Sequence, residues 1–229
     1  VCHRRFGKTV CMINHLIRSA LLSKNKNPRY AYIAPTFKQA KSIAWDYMKQ
    51  FTAKIPYTKF NETELRVDLP NGSRITLLGS ENSDGLRGIY LDGCVIDEYA
   101  NVNERLFPEI IRPALSDRKG YCVFIGTPQG MNNNFYELYQ HAQGADDWFN
   151  YKAKASDTKI VDDEELVKAK EVMGEKKYQQ EFECDWIANI EGAVYSDVLA
   201  KMEDKKQLTR VPYDPSLPVS TAWDLGVSD

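Results

Sequence analysis

The sequence holds no apolar run of twenty residues, the length a helix needs to cross a bilayer, so a helical membrane span is excluded and a folded soluble protein is expected. It has no CxxC pair. Cys2, Cys11, Cys94, Cys122 and Cys184 are odd in number and mostly sit among apolar residues, a pattern of reduced, intracellular thiols rather than of a disulfide framework. His3, His15 and His141 are too scattered for a zinc site. Neither charge sign dominates: 30 Lys and Arg stand against 32 Asp and Glu, so nothing global points to nucleic acid and any DNA contact needs a local basic patch. Repeats and low-complexity tracts are missing, as are an initiator Met, a signal peptide and any lead-in before Val1. With a stop at Asp229 just after a strand-like run, a fragment is expected. What remains is 229 residues, 43% of them hydrophobic, enough for one large domain, or one domain and the start of a second, around a buried core.

Apolar residues at Ile13, Leu16, Ile17, Ala20 and Leu21 recur at helical spacing, which predicts a helix from Lys8 to about Ser23. A strand follows at Tyr30–Ala34 and stops at Pro35. Thr36 can then cap a second helix whose buried stripe is Ala40, Ile43, Ala44, Tyr47, Met48 and Phe51. Asn71-Gly72, which supplies positive φ cheaply, predicts a hairpin between Leu65–Leu69 and Arg74–Leu78. Gly93–Ile96 and Tyr121–Ile125 are short continuous apolar runs separated by a helical stretch from about Asn103 to Leu115, and such strands belong inside a sheet covered on both faces. This alternation indicates an α/β fold with a mainly parallel, doubly wound sheet. Beyond Ser156 comes charged helical sequence, Asp162 to Phe182, then a Pro- and charge-rich linker at 201–218, then a strand-like run at 219–229 that begins another domain.

Arg4-Arg5-Phe6-Gly7-Lys8-Thr9 opens the first helix. Backbone N–H groups and the helix dipole favour an anion there, Lys8 adds a point charge, and Thr9 offers a hydroxyl to Mg²⁺. The pattern GxxxxGK[ST] wants glycine where Cys2 stands, so backbone approach is less free at the loop entrance. About ninety residues on, Cys94-Val95-Ile96-Asp97-Glu98 is an apolar strand ending in two carboxylates. Asp97 suits a metal and Glu98 a general base, and strand alternation predicts that they serve different partners. Arg87, between Gly85 and Gly88 of a loop, could offset transition-state charge on a γ-phosphate in its own subunit or a neighbour's. Thr127, in Gly126-Thr127-Pro128 at a strand end, could sense that phosphate, although a simple strand-terminating turn explains it as well. Lys24–Arg29 reads as a solvated basic helix end, and Trp45, Trp148 and Trp186 as fillers of core or interface space.

Taken together, these segments resemble the large terminase subunit of tailed bacteriophages, which packages double-stranded DNA into the procapsid. The carriers are Cys2–Thr9, Tyr32–Ala40, Gly85–Gly88, Val95–Ala100 and Gly126–Gly130, with support from Gln180–Asp185, Glu191–Tyr195 and Ala222–Gly226. The resemblance implies a RecA-like P-loop ATPase domain over 1–200, a linker over 201–218 and the first strand of a ribonuclease-H-like nuclease at 219–229. It places Gly7, Lys8 and Thr9 on ATP phosphates, Thr9 and Asp97 on Mg²⁺, and Glu98 as hydrolytic base. Arg87 becomes the arginine finger that reaches a neighbouring subunit, Thr127 part of a coupling motif, and Arg4 or Arg5 the loop arginine of a deviant phosphate loop. Asp224, with Asp229 a weaker candidate beside it, would be the first acid of a nuclease site holding two Mg²⁺ or Mn²⁺ ions. The implied partners are double-stranded DNA, a portal protein, a small terminase subunit and further copies in a ring, with no membrane, in the cytoplasm of an infected bacterial host. A P-loop helicase or DNA remodeller and a non-catalytic nucleotide-binding prophage remnant are the alternatives that the same residues leave open.

Overall fold

The apolar runs and the hairpin assemble into one sheet, seen in a computed structural model that describes residues 1–187 and the single positions 202, 205, 207 and 216. Asp224, Asp229, the strand expected at 219–229 and most of the expected linker lie outside the described residues. The chain divides into two compact units, Val1–Asn189 and Ile190–Asp229, and the sheet belongs to the first. Its strands are β1 (Arg29–Ala34), β2 (Lys59–Asn61), β3 (Arg66–Asp68), β4 (Arg74–Gly79), β5 (Gly93–Ile96) and β6 (Tyr121–Phe124), in the order β2-β3-β4-β1-β5-β6. β4, β1, β5 and β6 run parallel, while β2 and β3 add an antiparallel edge. The hairpin forms where Asn71-Gly72 predicts it. Gly72 has φ +85, and the Asn71 carboxamide accepts the Ser73 N–H while donating to the Ala20 carbonyl, which fastens the turn to the end of the first helix.

That helix, α1 (Lys8–Leu22), buries Ile13, Leu16, Ile17 and Ala20 against one face of the sheet. Beside it lie α2 (Phe37–Ala40), a π-helical turn (Lys41–Trp45) and α3 (Asp46–Thr52). Thr36 and Gln39 close a capping box at the start. The predicted buried stripe holds at Ala40, Ala44 and Met48 and fails at Ile43 and Tyr47, which are 39% and 41% exposed. The π turn is the cause: it adds a residue to the turn and displaces the face that a 3.6-residue period would bury. Trp45 goes inward instead, its indole N–H donating to the Glu62 carboxylate at 2.6 Å.

β1 alternates cleanly. Tyr30, Tyr32 and Ala34 face α1, whereas Ala31 and Ile33 join Cys94, Ile96, Leu106, Ile111, Phe135 and Trp186 on the other face. That second layer comes from a π-helical stretch (Leu106–Ile111), α4 (Arg112–Ser116) and α5 (Asn134–Gln143). The five cysteines are free thiols. A short helix, α6 (Ala155–Thr158), comes next. The single helix expected over Asp162–Phe182 is two, α7 (Asp163–Met173) and α8 (Glu175–Glu181), broken where Gly174 takes φ +77. Together these three enclose a satellite cluster of Ala155, Leu166, Tyr178 and Phe182. Among the described residues no helix is long and apolar enough to cross a membrane.

Ile33 is fully buried where β1 meets the second layer. Ile33→Ala is expected to lower the unfolding free energy by about 2–5 kcal/mol. Val172→Ala, at a position 88% exposed, should stay within about 0.5 kcal/mol. Urea titration of both variants with an unchanged slope checks the pair.

Candidate active site

The first seven residues are tied down on several sides. The Cys2 N–H donates to Gly126 O at 3.2 Å, the His3 N–H to Ala153 O at 3.0 Å and the Arg4 N–H to Glu181 O at 2.8 Å. His3 is completely buried; its ring lies 2.6 Å from Arg4 O through Nδ1 and 2.8 Å from the Thr158 hydroxyl through Nε2. A neutral imidazole satisfies both contacts, Nδ1 donating and Nε2 accepting. Arg5 (φ +66) and Gly7 (φ +88) turn the chain through left-handed conformations into α1, whose N-terminus has no side-chain cap. Backbone N–H groups gathered in this way form an anion-binding concavity backed by a fifteen-residue helix. The Lys8 ammonium folds over the loop and donates to Cys2 O and His3 O, both at 3.0 Å.

The two acids stand at the end of β5. Asp97 is 3% exposed, and its carboxylate accepts three hydrogen bonds: from the Thr9 hydroxyl at 3.1 Å, from the Tyr32 phenol, and from the Glu98 N–H at 2.8 Å. Strand alternation does not separate the acids, since β5 stops at Ile96 and Glu98 takes the left-handed conformation, φ +50. That turn sends Glu98 into the cleft while Asp97 stays beneath it. Burial, then the Asp97 charge, pushes the Glu98 carboxyl above its ordinary value, with Lys8 pulling the other way. Burial and the same Asp97 charge raise the Tyr32 phenol well above its ordinary range, so it stays a donor.

Between loop and acids opens a cleft of about 440 Å³. Arg4, Arg5, Gly7, Lys8, Thr9, Glu98 and Thr127 line it, and Asp97 reaches it through Thr9. Ile43 and Tyr47, the residues the π turn expels from the core, form its apolar side. Arg87 lies elsewhere, 3.6 Å from Glu109. Three contributors lie in segments that carry the resemblance but have no site role in the sequence reading. Glu181 of α8 lines the cleft and approaches Arg4 at 3.9 Å; Gln180, 2% exposed, donates to Pro128 O at 2.6 Å, holding the segment after Thr127. Tyr32 is the third, and its signal was a phenol inside an apolar strand, which needs a partner.

A mainly parallel sheet with a loop of this kind at its C-terminal edge is the architecture of a nucleotide-binding α/β domain. The family described as "Terminase large subunit, T4likevirus-type, N-terminal" matches residues 4–199, and the chain belongs to it. The large terminase subunit of Thermus phage G20c is 29% identical over an alignment of 126 positions that covers 47% of this chain; the chain spans 26% of that relative's length. Among solved structures, the large terminase ATPase domain of Thermus phage P74-26 superposes with a TM-score of 0.68 at 21% identity, over 81% of this chain and 86% of that one. A large terminase from another thermophilic bacteriophage, solved in complex with ADP, gives 0.66 at 18% identity, over 81% and 47%. The fold is therefore that of large-terminase ATPase domains.

Burial lowers the His3 pKa below its ordinary value of 6.5, so the folded loop favours the neutral ring. Stability contributed by His3 is complete above pH 6.5 and is lost as pH falls through the lower, folded value. His3→Gln should flatten that decline relative to the wild type in thermal melts collected from about pH 7.5 to about pH 5.

Proposed function

We propose that this chain is the ATP-hydrolysing part of a large terminase subunit, a motor that drives viral double-stranded DNA into procapsids. The observation that carries this reading is the 3.1 Å hydrogen bond from Thr9 to Asp97, which joins the first turn of α1 to the end of β5 beside Lys8. Lys8 and the loop N–H groups hold the phosphates of ATP, with Arg4 and Arg5 flanking them. The family and the thermophilic phage terminase solved with ADP support nucleotide as the ligand.

A divalent cation fits the donor set. The hydroxyl of Thr9 and the carboxylate of Asp97 are hard oxygen ligands, and among the described residues no group of three or more His, Cys, Asp or Glu could enclose a metal alone. Mg²⁺ suits such a partial site because it keeps water and takes phosphate oxygens. When bound it neutralises charge on the β- and γ-phosphates. Glu98 takes the proton of the attacking water, a role that its raised pKa favours by bringing the acid nearer the working pH. Thr127, on the segment that Gln180 holds, stands beside the same cleft to register loss of the γ-phosphate.

Arg87, paired with Glu109 within its own subunit, acts on the nucleotide of a neighbour in the ring. The remaining features belong to the longer protein: an ATPase domain over 1–200, a linker over 201–218, and a nuclease from 219 onward in which Asp224 helps hold two Mg²⁺ or Mn²⁺ ions. Duplex DNA, a portal and a small terminase subunit are the partners of that assembly, in the cytoplasm of the infected host.

Lys8→Ala should weaken binding of a fluorescent ATP analogue by at least about tenfold, since it removes a charge-assisted contact. Glu98→Gln should bind normally and lose about 10²–10⁴-fold in phosphate release. Unchanged turnover in Glu98→Gln would remove Glu98 as the base. Mixing Arg87→Ala with Glu98→Gln chains tests the finger: recovery of ATPase activity is expected, and its absence counts against action between subunits.

A further inference from the structure

Tyr32 has no place in the chemistry described so far. Its ring is wholly buried on the α1 side of β1, between Ala31 and Ile33, which point to the other face. A phenol in such a position must find an acceptor or forfeit its hydrogen bond. Its register partner on β5 is Val95, yet the hydroxyl reaches past the end of that strand to the Asp97 carboxylate, two residues further on. Core packing needs the ring alone, and phenylalanine would serve it. The hydroxyl is spent on the one carboxylate that also bonds Thr9 of the phosphate loop.

The consequence follows from counting lone pairs. An ionised carboxylate offers about four acceptor sites. Oδ2 takes the Tyr32 and Thr9 hydroxyls, and Oδ1 takes the Glu98 N–H. Two of these donors, Tyr32 and the Glu98 amide, belong to the sheet and its edge; Thr9 alone comes from the side of the cleft that wraps the ligand. The sheet thus fixes the plane of the carboxylate before any ligand arrives, and about one acceptor site is left for a cation or its water.

We propose that Tyr32 is a positioning residue for cation binding: its hydroxyl locks the Asp97 carboxylate in the single orientation that serves Thr9 and a phosphate-bound divalent cation. This rests on the nucleotide reading above. Without the phenol oxygen, Asp97 gains a vacant acceptor and can rotate away from Thr9. Loss of a partner that orients a metal-binding group typically costs about 10–100-fold in metal affinity.

The test is Mn²⁺ titration of the full chain, followed by electron paramagnetic resonance of the free ion in the presence of ATP, with binding of a fluorescent ATP analogue measured in parallel in EDTA. For Tyr32→Phe, half-saturating Mn²⁺ should rise about tenfold and nucleotide binding in EDTA should stay unchanged, while the melting temperature should fall only where the Asp97 carboxylate is present to lose a donor. In an Asp97→Asn background, Tyr32→Phe should produce no further change in Mn²⁺ dependence, because the two residues act as one unit. An unchanged Mn²⁺ midpoint in Tyr32→Phe overturns the proposal and leaves the nucleotide reading intact. So does an equal loss of melting temperature on Tyr32→Phe in both backgrounds, which would assign the residue to core packing. A wild-type chain that binds ATP with no cation dependence also overturns the proposal alone, whereas one that binds no ATP with or without Mn²⁺ overturns both readings.

Discussion

A carboxylate held almost out of water is the constraint around which the domain is arranged. An ionised acid loses its hydration when buried and is tolerated only with compensating donors. Asp97 finds them in three parts of the chain at once: the first turn of α1, the middle of β1, and the amide of its own successor. Each donor requires its element to be in register. β1 must pair β5 in parallel with Tyr32 opposite Val95, and α1 must begin at Lys8 so that Thr9 stands on its first turn. The buried acid thus acts as a gauge of correct assembly, because a slip of one residue in β1 would turn the phenol to the opposite face.

The loop at the cleft obeys a similar logic with weaker bonds. It is short and twice left-handed, and it would be floppy alone. Contacts to Gly126, Ala153 and Glu181 pin it to the segment after β6, to the segment before α6 and to α8. The buried His3 ring adds a strut to Thr158. Helices remote in sequence therefore hold the loop's shape, and through Glu181 and Gln180 one short helix touches both the loop before α1 and the segment after Thr127.

Features fixed by neighbours in the chain were legible in the sequence. The stripe of α1, the capping residue Thr36 and the Asn71-Gly72 hairpin depend on local spacing and turn chemistry, and all appear, with Leu21 alone of that stripe left 39% exposed. The stripe through Ile43 and Tyr47 misled because a π turn has no signature in hydrophobic period, and the long helix expected after Asp162 ignored the freedom of Gly174. Strand β2 carried too little apolar alternation to be read. At the site, loop and acids were readable as motifs, whereas the Tyr32–Asp97 contact spans 65 residues and Gln180–Pro128 spans 52, and nothing local encodes either.

The folded-back Lys8 carries one more implication. Its ammonium already holds two carbonyl acceptors at 3.0 Å, so an incoming anion competes with the loop itself rather than with bulk solvent. A small monovalent anion such as chloride offers too little in exchange to draw the amine away. A ligand that engages the amine and several backbone amides together can compensate for the two contacts it displaces, whereas one that meets the amine alone cannot.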